Sequence, residues 1–217
     1  SFGIYQFDRV VGVTKAYCTR VGEGPFPTEL LGADGDTLRT KGEEFGATTG
    51  RPRRCGWIDL VALRYAIRVG GITELAITKL DVLSGMHELK LCTGYTVNGV
   101  ELSPWATLTG KILAEATPVY MTLPGWDEDI TNCTSCLMLP RNAQQYVHTI
   151  MHLAQCRIAD ISVGPDRAQP IQHAGLRQGR CSGAAAGRPA VAGRCDMNTA
   201  IRFRSLLAEA MDEFVAG

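Results

Sequence analysis

The apolar residues of this chain come in short blocks set between glycine, proline and charged segments. RVVGVTKAYC, residues 9–18, predicts a strand that runs into a turn. GEGPFPTEL, residues 22–30, is a loop broken up by proline and glycine. Residues 57–69 carry Ile58, Val61, Leu63, Tyr65 and Ile67. That spacing predicts a helix, too evenly apolar to show one clean stripe and therefore largely buried. Gly70-Gly71 supplies its C-terminal end. Leu75, Ala76 and Ile77 predict a buried strand over residues 74–78. Loop, helix and strand in that order form a compact αβ unit.

Further along, residues 89–97 and 100–103 flank Asn98-Gly99, a strong signal for a hairpin with a type I′ turn. Residues 142–154 predict an amphipathic helix, because Ala143, Tyr146, Val147, Ile150, Met151 and Ala154 follow the helical period. Residues 157–161 predict a second strand of the αβ kind, ending in Ser162-Val163-Gly164-Pro165. Open α/β sheets bind their substrates in such loops, at the C-terminal ends of strands. The pattern changes after residue 171. Residues 172–195 are rich in Gly, Ala and Arg with almost nothing to bury, and predict a disordered linker. Residues 196–217 predict one amphipathic helix, with Asp196 as its N-cap and Met197, Ile201, Leu207, Met211, Phe214 and Val215 near one face.

Composition narrows the class. A chain of 217 residues suffices for one domain with a real core, or one and a fragment. A hydrophobic share of 45% with 20% charged residues is that of a soluble globular protein. The 22 basic and 22 acidic residues cancel, which argues against a nucleic-acid or general polyanion binder. No run of 18 apolar residues exists to span a membrane, and no signal peptide is visible. The eight cysteines are irregularly spaced, as expected for free thiols in a cytosolic protein. Cys133 and Cys136 form a lone CxxC. With His148 and His152 it allows a Cys2His2 metal site, the competing reading being surface histidines on a helix. Asp127, Glu128 and Asp129 read as a solvated acidic loop or, less simply, as metal ligands.

Two segments carry candidate chemistry. KGEEFGATTGRPRRCGW, residues 41–57, sets Arg51, Arg53 and Arg54 directly after a small-residue loop, Gly46-Ala47-Thr48-Thr49-Gly50. Glycines let backbone N–H groups turn toward a ligand, threonines add hydroxyl donors, and arginine forks grip carboxylate or phosphate. This is an anion clamp or, on the blander reading, a solvated basic loop. The second segment, ELAITKLDVL, ends its apolar run in Thr78-Lys79-Leu80-Asp81. This resembles the guanine-reading element of GTP-binding proteins, in which a strand delivers Lys-x-Asp to its C-terminal end. The resemblance implies an aspartate that accepts from N1–H and the 2-amino group of guanine together, with the lysine stem along the purine. Adenine lacks that donor pair and leaves the carboxylate short, at a cost of ~1–3 kcal/mol or more. The competing reading is an incidental charged pair at a strand end.

These segments carry a family resemblance. GVTKAYCTRVGEGPFPTEL (residues 12–30), the clamp loop, TKLDVL (78–83), LPGW (123–126) and ISVGPDR (161–167) stand in the order found in adenylosuccinate synthetases. The chain resembles that family over residues 8–171. The resemblance implies an α/β fold of P-loop-NTPase-like type, with a mostly parallel central sheet flanked by helices, here partial. It implies a GTP-dependent ligation of IMP and L-aspartate to adenylosuccinate, with GDP and phosphate released. It places Ala47, Thr48, Thr49, Gly50, Arg51, Pro52 and Arg53 around aspartate and IMP, with Val21 in the wall of the IMP pocket. Lys79, Leu80, Asp81, Ser162, Val163 and Gly164 would hold GTP, with Arg53 between aspartate and the phosphates. Pro52 and Val163 depart from residues frequent there in the family; proline stiffens the loop, and at 163 a backbone contact survives the change while a hydroxyl contact does not. Arg54 falls outside the matched ligand positions and offers itself as a neutral comparison in mutagenesis. The resemblance further implies Mg2+, a cytoplasmic homodimer, and no nucleic-acid or membrane partner.

No glycine-rich phosphate loop occurs in the sequence, and neither do the family's catalytic base and acid. The chain therefore reads as residues 1–171 of a C-terminal half, followed by the linker and terminal helix. The magnesium ligands are expected in the other half. The rival reading is a non-catalytic remnant or a fragment that binds a partner. This polypeptide alone is expected to make no adenylosuccinate; turnover above a no-enzyme control in a coupled assay would show otherwise.

Overall fold

A computed structural model describes residues 9–165 and 170–172. In chain order the elements are β1 (Val11–Lys15), β2 (Cys18–Arg20), α1 (Ala33–Lys41), β3 (Arg54–Gly56), β4 (Ile58–Asp59), α2 (Leu60–Gly70) and β5 (Glu74–Thr78). They continue with β6 (Met86–Val97), β7 (Val100–Glu101), α3 (Gly110–Glu115), β8 (Thr117–Trp126), α4 (Arg141–Ala154), β9 (Arg157–Ser162) and β10 (Pro170–Gln172).

The sheet that positions the candidate site has the order β1-β5-β9-β10. Its first three strands are parallel, with Val11 opposite Glu74 and Glu74 opposite Arg157; β10 runs antiparallel along β9. Leu75 and Ile77 of β5 and Ile158 and Ile161 of β9 are buried in the core. So are Ala143, Tyr146, Val147, Ile150 and Ala154 of α4, the stripe that the helical period marks. Tyr146 closes the unit by donating its hydroxyl to the carbonyl of Ala16 at 2.6 Å. The mostly parallel, helix-flanked α/β sheet expected from the sequence is present.

A second sheet is antiparallel in the main, and only its β6–β7 hairpin was expected from the sequence. Its centre is the long strand β6, which pairs β8 from Met86–Trp126 to Thr96–Thr117, pairs β7 through the hairpin, and takes β4 in parallel at Leu91 and Cys92. Asn98 and Gly99 have φ of 52° and 78°, the type I′ geometry that their sequence demands. Gly125 of β8 is needed for close strand approach: a Cβ there would lie 1.6 Å from the carbonyl oxygen of Met86.

Helix α2 corrects the sequence reading twice. It starts at Leu60 rather than 57, because Ile58 and Asp59 pair with β6 and Asp59 acts as N-cap. The Asp59 carboxylate accepts from the N–H groups of Val61 and Ala62, both at 3.0 Å, and from the hydroxyl of Tyr95. Burial pushes this carboxyl above its ordinary range. Nor is α2 largely buried, for only Leu60 and Val61 are, and Val69 is exposed. Gly71 ends the helix in the left-handed conformation, as expected.

The linker and helix expected beyond residue 172 lie outside the described residues. Among the described residues six cysteines are free thiols, and no helix is long and apolar enough to cross a membrane.

Candidate functional site

The clamp loop is closed at its base by backbone hydrogen bonds. Phe45 and Pro52 face each other across an antiparallel bridge, Gly46 N–H donates to Arg51 O at 2.8 Å, and Gly50 N–H donates to Gly46 O at 2.8 Å. Gly50 turns the chain with φ of 63°. Ala47, Thr48, Thr49, Gly50, Arg51 and Pro52 are all exposed at its tip, whereas Arg53 is half-buried at its root. The two arginines therefore stand in different surroundings. Arg51 reaches into solvent. Arg53 Nη1 donates to Glu44 Oε2 at 2.9 Å, while its Nε is buried with no hydrogen-bond partner among the described residues.

The Lys-x-Asp turn leaves β5 through an unusual backbone. Lys79 has φ of 59°, a left-handed conformation that costs a non-glycine residue about 1–2 kcal/mol. This swings its ammonium across to the carbonyl of Gly42 and to Glu44 Oε1, the latter at 3.1 Å. Leu80 N–H then donates to the carbonyl of Ser162 at 3.2 Å, which joins the ends of β5 and β9 directly. Ser162 Oγ donates to the carbonyl of Gly164 at 2.9 Å. Leu80 and Val163 are fully buried, so neither offers its side chain to a ligand. Asp81 is half-buried, and its Oδ1 is a buried acceptor with no partner among the described residues. Burial raises its pKa, partly offset by its own backbone N–H and then by nearby Lys79.

Glu44 holds these elements together, and no pattern in the chain marks it beforehand. It is fully buried. Its carboxylate accepts from Lys15 Nζ at 2.7 and 2.8 Å, from the Tyr17 hydroxyl at 2.6 Å, and from Arg53 and Lys79. Burial pushes the carboxyl up, but the hydrogen bonds from Lys15, Tyr17 and Lys79 outweigh it and bring the pKa down to about 2. Gly42 permits the approach: a Cβ there would lie 2.1 Å from the Tyr17 hydroxyl.

Val21 is exposed on the loop after β2. That loop is bracketed by Arg54, which donates to the carbonyls of Gly22 at 3.0 Å and Gly24 at 2.7 Å and forms a two-pronged ion pair with Glu29. Arg54 is thus no neutral comparison for its neighbours, since removing it frees the segment that carries Val21. The structure brings the clamp root, Lys79 and the ends of β5 and β9 into one site. It shows no direct bond from Val21 to that cluster.

Elsewhere the candidate metal ligands do not converge. Among the described residues no three of His, Cys, Asp and Glu stand close enough to hold an ion. The Cys133 thiol donates to the carbonyl of Met138 at 3.4 Å, and Asp129 accepts from the N–H of Thr131 at 2.9 Å. Among the described residues the donor set does not fit magnesium.

A sequence model described as adenylosuccinate synthetase matches residues 1–171. The adenylosuccinate synthetase of Bifidobacterium longum strain NCC 2705 is 53% identical over 170 residues, covering 78% of this chain and 40% of that protein. That of Nitratidesulfovibrio vulgaris strain Miyazaki F is 53% identical over 166 residues, covering 76% of this chain and 39% of the relative. The chain thus spans about two fifths of the length of these curated relatives. Among solved structures, fully ligated adenylosuccinate synthetase from Plasmodium falciparum superposes with a TM-score of 0.76 at 42% identity, over 79% of this chain and 41% of that one.

Proposed function

Because the chain belongs to the adenylosuccinate synthetase family, we propose that it supplies the guanine-reading and aspartate-clamping part of a GTP-dependent ligase that joins IMP to L-aspartate. The observation that carries this reading is Asp81 Oδ1, a buried acceptor without a partner among the described residues, just past the C-terminal end of a parallel strand. A buried acceptor left unsatisfied costs ~1–3 kcal/mol, so a donor is expected to meet it. The N1–H and 2-amino group of guanine are such donors, and they select GTP over ATP. Lys79 lies along the purine, and the backbone of Ser162, Val163 and Gly164 borders its other side.

In the ligation, IMP O6 takes the γ-phosphoryl group of GTP, and the aspartate amine then displaces phosphate. The contribution of this chain is positioning and charge. Thr49 and the exposed loop amides receive the aspartate carboxylates. Arg51 approaches IMP, and Arg53 neutralises charge between aspartate and the transferring phosphoryl group. Magnesium, and the partner subunit of a homodimer, belong to the same proposal, with the ion held outside the residues described.

Asp81→Asn in the full-length protein tests the reading. Asparagine presents one acceptor where the carboxylate presents two, and its amide faces a guanine donor. kcat/KM for GTP is expected to fall about tenfold or more, with weaker discrimination against ITP and ATP. A value within about twofold of wild type removes Asp81 as the base reader.

A further inference from the structure

We propose that Glu44 is a positioning residue that couples the clamp loop to the nucleotide side of the site, so that filling one raises affinity at the other. The proposal rests on the reading of the two sides given above. Its own basis is that one fully buried carboxylate accepts from three cations on three separate elements. Lys15 comes from the end of β1, Arg53 from the root of the clamp loop, and Lys79 from the turn after β5. Tyr17 adds a fourth donor at 2.6 Å.

The stoichiometry matters. A carboxylate offers about four lone-pair sites, and these contacts use them fully. Three positive charges against one negative leave the cluster short of anions, so it is balanced when carboxylate or phosphate arrives. Arg53 and Lys79 share one carboxylate, Arg53 on Oε2 and Lys79 on Oε1, although one belongs to the clamp and the other to the base-reading turn. When a ligand anion draws Arg53 toward itself, Glu44 loses a donor on Oε2 and leans on Lys15 and Lys79. A buried charge cannot be left unpaired cheaply, so the response is passed on rather than absorbed by water. The effect is reciprocal, since whatever aspartate does for nucleotide affinity the nucleotide does for aspartate affinity. An ion pair that merely held the fold together would be indifferent to which ligand is present.

The test measures binding in the full-length protein by titration calorimetry, with L-aspartate and GDP as probes, each titrated with the other absent and then saturating. Wild type is expected to show mutual strengthening of about fivefold or more. Glu44→Gln, which keeps the volume and removes the charge, is expected to bind both ligands with the two sets of affinities within about twofold of independence. Retained coupling in this variant, or wild-type binding of both ligands without coupling, overturns the proposal. If wild type binds neither ligand, the functional reading fails instead, which is a distinguishable result. Should Glu44→Gln not fold by circular dichroism, Tyr17→Phe takes its place, removing one donor while keeping every charge. Coupling reduced at least twofold supports the proposal, and unchanged coupling overturns it.

Discussion

Arg53→Leu in the full-length protein is expected to lower kcat/KM for ligation by about 2–4 kcal/mol of transition-state stabilisation, a loss of tens- to about a thousandfold. The root of the loop survives the change because its backbone is held independently. Arg53 N–H donates to Glu44 O at 2.8 Å, and Arg39 Nε donates to Arg53 O at 2.9 Å. The lost activity therefore reports on the guanidinium rather than on unfolding. Arg51→Leu is expected to weaken catalysis as well, and at least one of the two variants raises the aspartate KM. Arg157, with 76% of its side chain exposed on β9 and paired to Glu74, is the proper comparison. A solvated pair of this sort contributes ~0–1 kcal/mol. Steady-state kinetics with each substrate varied in turn decides the matter. If Arg53→Leu and Arg157→Leu both stay near wild type, the basic run is only a solvated loop.

Gly125→Ala is expected to produce the largest loss of stability of any single methyl addition in the second sheet. The added Cβ meets a backbone oxygen, that of Met86, at 1.6 Å, with the carbonyl carbon at 2.7 Å. Backbone cannot step aside as a flexible side chain does, so β8 has to separate from β6 locally. The neighbouring contacts feel that shift: Gly125 O accepts from Asn142 Nδ2 at 2.6 Å, and Trp126 O accepts from Gly85 N–H at 2.7 Å. Overpacking of this kind costs ~1–3 kcal/mol, here toward the upper end. At roughly 2–4 °C per kcal/mol for a domain of this size, Tm falls by about 6–12 °C. Gly110→Ala, where a Cβ meets nothing within 4 Å at the start of α3, is expected to leave Tm unchanged or slightly raised. Thermal unfolding followed by circular dichroism separates the two; equal Tm values would mean that β6 and β8 tolerate the extra atom.

How much of this was legible in the sequence depends on whether the signal was local. Strand β5 matched residues 74–78 because a compact apolar run is bounded by Gly71 and by Lys-x-Asp. The hairpin followed from Asn98-Gly99, and α4 from its period. Helix α1 was missed because ADGDTLRTK is polar throughout and buries a single large side chain, Leu38; tertiary contacts, not amphipathicity, hold it. Strand β8 was missed because Pro118 and Pro124 break the strand pattern, and they are tolerated because among the described strands β8 pairs with β6 alone. Glu44 was illegible for another reason. Glu43 and Glu44 are identical in type and adjacent, yet one is exposed and the other fully buried among cations. Only the closed fold distinguishes them. The same holds for Arg54, whose bracket on Gly22 and Gly24 depends on the pairing of β2 with β3.

The bond from Leu80 N–H to Ser162 O has a consequence in time. The Lys-x-Asp turn follows β5, but it is completed by the end of β9, which lies far along the chain and is joined through parallel pairs that start at Glu74 and Arg157. Non-local pairings of this kind close late, because loop entropy is lost before contacts reward it. The β6–β7 hairpin, by contrast, needs only its own turn. A ribosome therefore releases the Lys-x-Asp turn well before the strand that shapes it. Throughout that interval the nascent chain already carries Lys79 and Asp81, but lacks the strand end that fixes where they point.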